Sequence, residues 1–247
     1  MRRLLALALV MVAVAGCSNK EVRPERGASF NEEESFAKAN EHLEKKEYDK
    51  ARELFLDVRS RDVTGKYSPL AHLRMADSYY NEGEIEQAAD EYGRFLEIYP
   101  EHRYAPYAQY QKGMVYFTQI ADPERGAGAA RKALEEFEEL KTLYPRNPYK
   151  DTVDMRIAKC RDTIASYEFL VGEFYFKKKS YPGAIARLSG ILDQYPDFRK
   201  EPQVLYMTAF SYNALGEKDK AALYLKMLTA KYPEDALCKK AEKEFGK

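Results

Sequence analysis

The sequence predicts an all-α protein built as a solenoid of helix-turn-helix repeats, and three observations carry that reading. A motif recurs: alanine, an aromatic or leucine four residues on, an apolar residue three further, then Tyr-Pro. Ala88, Tyr92, Phe95 and Tyr99-Pro100 form one copy, and Ala133, Phe137, Leu140 and Tyr144-Pro145 another. Ala184, Leu188, Ile191 and Tyr195-Pro196, then Ala221, Leu225, Leu228 and Tyr232-Pro233, complete the series, with alanine and proline 12 residues apart each time. Steps of four and three trace one face of a helix, and proline marks its end because it cannot continue the backbone bonding. Finally, a second small residue precedes the motif alanine at a fixed distance: Ala39 to Ala51, Ala76 to Ala88, Gly172 to Ala184 and Ala209 to Ala221 are each 12 apart. Two antiparallel helices on a short turn approach most closely where side chains are absent, so a small residue is expected on both partners. A helix pair with one apolar stripe buries it only against copies of itself.

The chain opens with Arg2 and Arg3, then an apolar run from Leu4 to Ala15. These are the charged and hydrophobic regions of a secretory signal, too short for the roughly 20 residues of a membrane span. The run ends Val14-Ala15-Gly16-Cys17, which resembles a bacterial lipobox. That resemblance implies a signal peptide over residues 1–16, acylation of Cys17 and, with Ser18 in place of aspartate, sorting to the outer membrane. Several acyl chains anchor stably where one is marginal. A plain signal that happens to contain Cys17 is the alternative. Residues 17–30, with Pro24, Gly27 and no apolar period, are expected to form the lipidated cysteine and a flexible tether.

Residues 31–147 are expected to hold repeats 1 to 3. Repeat 1 turns at Lys45-Lys46-Glu47-Tyr48-Asp49 and fills its second helix with Phe55 and Val58, but Val63 stands where later copies have proline. Repeat 2 turns at Asn81-Glu82-Gly83-Glu84. Repeat 3 pairs Gly113 with Ala133, 20 apart, so its turn is a longer loop within residues 119–130, around Pro123, Gly126 and Gly128. Residues 148–240 are expected to hold a long helix and repeats 4 and 5, with 241–247 as a tail. From Pro148, which suits a first helical turn, to Lys178 the one breaker is Gly172. Val153, Ile157, Cys160, Ile164, Tyr167 and Val171 recur at helical steps. They predict one helix of about 30 residues, about 45 Å long. It is either a buttress between two halves or a docking arm.

Lys plus Arg equals Asp plus Glu, 40 each, so no net field draws nucleic acid. His42, His72 and His102 lack the spacing of a metal site. No GxSxG, P-loop or GxGxxG occurs, and acid pairs such as Glu135-Glu136 and Glu138-Glu139 fall on solvated helix faces. These absences point to a protein that is not an enzyme and has no cofactor or metal, only covalent lipid on Cys17. Cys160 and Cys238 sit in well-separated repeats and are expected not to pair.

The first helices carry a second stripe, richer in aromatics than a solvated face. In repeat 1 it includes Phe36, Asn40 and Leu43, in repeat 2 Leu73, Asp77 and Tyr80, and in repeat 3 Tyr107, Tyr110, Met114 and Phe117. Tyrosine and methionine suit adaptable recognition of apolar peptide side chains. The stripe is read as a peptide groove in repeats 1 to 3, with Asn40 and Asp77 positioned to bond peptide backbone. Packing of repeat against repeat is the competing reading.

Small residue, aromatic three on (Tyr79, Tyr116, Tyr175, Tyr212), alanine at +12 and proline at +24 resemble the tetratricopeptide repeat (TPR). The resemblance implies a right-handed solenoid of about five TPR repeats. The lipoprotein signal, tether, expanded third turn and the run Ala165-Ser166-Tyr167-Glu168-Phe169-Leu170-Val171-Gly172-Glu173-Phe174-Tyr175 resemble one family over roughly Phe30 to Ala241. That family is the outer-membrane β-barrel assembly lipoproteins of the BamD, or ComL, type. The resemblance implies a non-catalytic subunit of the β-barrel assembly (BAM) complex, lipid-anchored at the periplasmic face of the outer membrane. It implies contact with the periplasmic domains of BamA, largely through the C-terminal repeats, and with other BAM subunits. No short motif marks the contact residues; Lys177-Lys178-Lys179 in the fourth turn and the fifth repeat are the place to look. It also implies that the N-terminal repeats receive the C-terminal peptides of unfolded outer-membrane proteins, which end in an aromatic residue. The alternative is a TPR lipoprotein scaffold for pilus assembly or peptidoglycan machinery.

Overall fold

The computed structural model describes residues 30–245. The expected signal peptide, Cys17 and all of the tether before Phe30 lie outside the described residues, as do residues 246–247. The described residues hold eleven α-helices and no strand: α1 (Glu32–Glu44), α2 (Tyr48–Arg61), α3 (Ser68–Glu82), α4 (Ile85–Ile98), α5 (Ala105–Phe117), α6 (Gly128–Leu143), α7 (Lys150–Lys177), α8 (Tyr181–Gln194), α9 (Glu201–Ala214), α10 (Lys218–Lys231) and α11 (Ala236–Phe245). From Glu32 onward the chain is one compact unit in which each helix packs mainly on its neighbours in sequence. This is an all-α solenoid of TPR repeats, α1/α2 to α9/α10, with α11 laid against the last pair.

The small residues sit where close approach demands them. Ala39, Ala76 and Ala209 of the first helices, and Ala51, Ala88, Ala133 and Ala184 of the second, have no exposed surface. The two glycines of the series are tighter still. A Cβ on Gly113 would lie 2.5 Å from the Phe137 ring, and one on Gly172 would lie 2.6 Å from Leu188. Phe55, Tyr92, Phe137 and Leu188, four residues after each alanine, are fully buried beside these contacts.

The Tyr-Pro pairs end the second helices. Tyr99, Tyr144, Tyr195 and Tyr232 each donate their amide to the carbonyl four back, on Phe95, Leu140, Ile191 and Leu228. In repeat 1, where proline is missing, Asp62 closes the turn instead. Its carboxylate accepts the backbone amides of Thr64 (3.0 Å), Gly65 (3.1 Å), Tyr67 (2.6 Å) and Ser68 (2.7 Å). Val63 then points outward, 94% exposed.

The third turn carries a short 3-10 segment, Pro123–Arg125, before α6 begins at Gly128. Helix α7 spans 28 residues and starts at Lys150, two residues later than Pro148 suggested, with Tyr149 at its N-cap. Its first half buries Val153, Ile157 and Cys160 against Ala133, Phe137 and Leu140 of α6. Its second half buries Ala165 and Phe169 with Ala184, Leu188 and Ile191 of α8. It is the buttress, not a free arm. The expected tail from residue 241 is instead the end of α11, which buries Cys238 and Ala241 in the last core cluster. Cys160 and Cys238 are both buried, lie in separate clusters and are not bonded to each other.

Candidate functional site

Helices α1, α3 and α5 are the first helices of successive repeats, and a concavity of about 340 Å³ opens among them. Its wall is Phe36 from α1, Leu70, Leu73, Arg74 and Asp77 from α3, and Tyr104 and Tyr107 at the start of α5. Phe36 is braced by the rings of Phe55 (5.7 Å) and Tyr67 (5.5 Å).

One carboxylate organises the floor. Asp77 is 6% exposed. Its Oδ1 accepts the hydroxyls of Tyr92 (2.6 Å) and Tyr107 (2.8 Å), and its Oδ2 accepts Arg74 Nη1 (3.1 Å). Gln111 Nε2 donates to the Tyr107 oxygen at 3.0 Å. Burial first, and the Asp77 charge second, push both phenols well above the ordinary tyrosine range, so they stay neutral donors. Behind this floor His72, 1% exposed, places Nε2 2.9 Å from Glu91 Oε2. Arg94 (3.0 Å) and Arg59 (3.5 Å) face the same carboxylate, which the adjacent His72 imidazole above all holds below its usual range. The result is an apolar wall with one guanidinium at the mouth and a floor whose polar groups already satisfy one another. Such a site takes an apolar side chain and asks little of a ligand's backbone.

Of the stripe read from sequence, the structure brings Phe36, Leu73, Asp77 and Tyr107 together. Asp77 is turned to Tyr92 and Tyr107, not held free for a peptide backbone. Asn40 spends its amide on the Phe36 carbonyl of its own helix, at 2.8 Å. Leu43 is partly buried outside the concavity, and Tyr80 packs into the core of repeats 2 and 3. Tyr110, Met114 and Phe117 belong to the core that joins α5 and α6 to α7. Tyr110 stacks on Tyr149 with centroids 4.2 Å apart, and the Arg156 guanidinium lies 5.4 Å over both Tyr110 and Phe117. The start of α7 covers that face of α5, so the concavity stops at Tyr107. The reading from sequence missed Arg74 and Tyr104. Each stands three residues from a member of the stripe, Asp77 and Tyr107, a spacing that puts the pair on one helix face.

The chain matches the family described as YfiO, outer membrane lipoprotein, over residues 29–228. It is 30% identical over 191 residues to the outer membrane protein assembly factor BamD of Rickettsia prowazekii, covering 77% of this chain and 76% of that protein. The BamD of Caulobacter vibrioides is 25% identical over 236 residues, covering 94% and 76%. That of Neisseria meningitidis serogroup A is 27% identical over 240 residues, covering 93% and 89%. Among solved structures, the TPR2AB domain of yeast Sti1, in complex with pHSP90, aligns with a TM-score of 0.46 at 15% identity over 84% of this chain and 80% of that one. From the start of α1 to the last turns of α10, the chain belongs to the YfiO family of outer membrane lipoproteins.

Proposed function

We propose that this chain is a non-catalytic subunit of the β-barrel assembly complex, anchored by lipid on Cys17 at the periplasmic face of the outer membrane. It serves outer-membrane protein assembly, as its relatives' names state of them. Its N-terminal repeats take the C-terminal peptide of an unfolded outer-membrane protein, and its C-terminal repeats contact the periplasmic domains of BamA. One observation supports the client reading most: the concavity among α1, α3 and α5 is apolar at its wall and already satisfied at its floor. A terminal aromatic ring gains burial against Phe36, Leu73 and Tyr104 without competing for Asp77. A buried aromatic anchor in a desolvated pocket supplies much of the energy of a short peptide contact.

The test is fluorescence anisotropy with a labelled barrel-protein C-terminal peptide and its variant lacking the final ring. Leu70→Glu places a charge at the partly exposed mouth and lowers affinity for the aromatic peptide while the melting temperature holds. Equal binding of both peptides, or full affinity in L70E, sinks this assignment.

A further inference from the structure

The floor of the concavity among α1, α3 and α5 has its polar groups satisfied, but the mouth does not. Arg74 stands on α3 between Leu70, one turn before it, and Asp77, one turn after, and all three line the same concavity. Its one bond to an acid runs from Nη1 to Asp77 Oδ2 at 3.1 Å. Its Nε and Nη2 have no hydrogen-bond partner among the described residues. The two members of this ion pair are unlike. Asp77 is buried and already accepts the Tyr92 and Tyr107 hydroxyls, whereas the Arg74 side chain is 49% exposed. A guanidinium carries five N–H donors in a planar fork that matches a carboxylate, and Asp77 engages only one of its nitrogens.

The other charges near the rim leave this one dominant. Glu33, one turn before Phe36 on α1, is exposed and lies in the field of Lys66, which donates to the Tyr67 hydroxyl at 2.9 Å. Arg103 sets a second guanidinium 4.9 Å from the centre of the Tyr104 ring. Among the described residues that line the concavity, Arg74 is the one cation and Asp77 the one anion, and the cation is the exposed member. The mouth therefore presents positive charge beside an apolar wall.

We propose that Arg74 binds the free C-terminal carboxylate of the peptide whose last ring enters the concavity, so that the site reads a chain end and not an internal aromatic. The inference rests on the client reading above and supplies its polar half. A terminal aromatic residue carries its α-carboxylate on the carbon next to the one that bears the ring. With the ring against Phe36, Leu73 and Tyr104, the carboxylate meets the mouth, where Arg74 offers Nε and Nη2. An internal aromatic has a neutral peptide group at that place and leaves the fork to water. A carboxylate on a guanidinium is a charge-assisted contact, stronger than a neutral hydrogen bond. Solvent screening at a half-exposed side chain reduces its effect to about five-fold in affinity.

The test is fluorescence anisotropy with one barrel-protein C-terminal peptide, labelled at its N-terminus and made both as the free acid and as the C-terminal amide. Wild type binds the acid about five-fold more tightly than the amide, and added salt narrows the gap. Arg74→Gln lowers affinity for the acid to that for the amide and leaves the amide unchanged, so the amide reports an intact site. Arg74→Lys retains part of the preference, because it keeps the charge without the fork. Equal binding of acid and amide by wild type, or the same acid-to-amide ratio in R74Q, overturns the proposal and leaves the aromatic pocket standing. Loss of both peptides in R74Q makes Arg74 a support for the floor and overturns it too. Binding of neither peptide by wild type removes the client reading and this inference together.

Discussion

Asp77→Ala asks whether a single carboxylate holds the floor of the concavity. The Tyr92 ring is fully buried, and Asp77 is its only hydrogen-bond partner among the described residues. Removing the acceptor leaves a buried hydroxyl unsatisfied, at about 1–3 kcal/mol. Tyr107 is partly exposed and keeps Gln111, so water replaces its lost acceptor at about 1 kcal/mol. The expected cost of D77A is therefore about 3 kcal/mol, or roughly 6–12 °C in melting temperature for a domain of this size. Asp77→Asn keeps an acceptor but loses the charge assistance, and costs about half as much. Tyr92→Phe removes the donor instead, at about 1 kcal/mol. In the double variant D77A/Y92F no orphan hydroxyl remains. The cost then falls below the sum of the singles by about 1–2 kcal/mol. Urea unfolding followed by circular dichroism measures all four proteins, with a constant slope confirming the same transition. A D77A cost under about 1 kcal/mol, or strict additivity with Y92F, would show that the carboxylate does not organise these tyrosines.

Three further predictions follow from packing and charge. Gly172→Ala destabilises, because a Cβ 2.6 Å from the fully buried Leu188 costs about 1–3 kcal/mol of overpacking against about 1 kcal/mol of helix propensity gained. Gly93→Ala, whose nearest neighbour is Lys112 Cε at 3.9 Å, stabilises by up to about 1 kcal/mol; if thermal melts show both gaining, the close-contact account fails. The Glu91 carboxyl is held below its ordinary 4.5, chiefly by His72, so its contribution is present above pH 4.5 and is lost as pH falls through the lower folded value. Urea midpoints of Glu91→Gln should fall less steeply on acidification than those of wild type; parallel curves would remove Glu91 from the account. Burial pushes the Cys160 thiol up to about 11, so it resists a thiol reagent at neutral pH in the native protein. Cys160 and Cys238 should both react after unfolding without reductant, and one disulfide in place of two thiols would contradict the separate clusters.

The helix pairs were legible because the repeat is written at every level: small residue, aromatic, small residue, Tyr-Pro. Local bonding and long-range packing ask for the same residues at those positions. The groove was half legible. Helical spacing puts Tyr110, Met114 and Phe117 on the same stripe as Tyr107, but it cannot say what lies opposite them. The extension of α7 was visible in its unbroken apolar period, whereas its placement over α5 depends on how repeat 3 ends at Asn147, whose side chain bridges the Tyr144 carbonyl (2.8 Å) and the Tyr149 amide (2.9 Å). The role of Asp77 was hidden for a related reason. Its partners stand 15 and 30 residues away, beyond any local pattern. Asp62 shows the reverse case, a missing proline whose work passes to a carboxylate at the same corner.

Helix α7 is shared property: its first half is core for repeat 3, and its second half is the leading helix of repeat 4. The two ends of the protein are thus joined by a rigid axle and not by a joint. Each residue added to or taken from that axle would swing the later repeats by about 100° about its axis. The length of one helix, 28 residues, therefore sets the bearing of whatever the C-terminal repeats hold relative to whatever the N-terminal repeats receive.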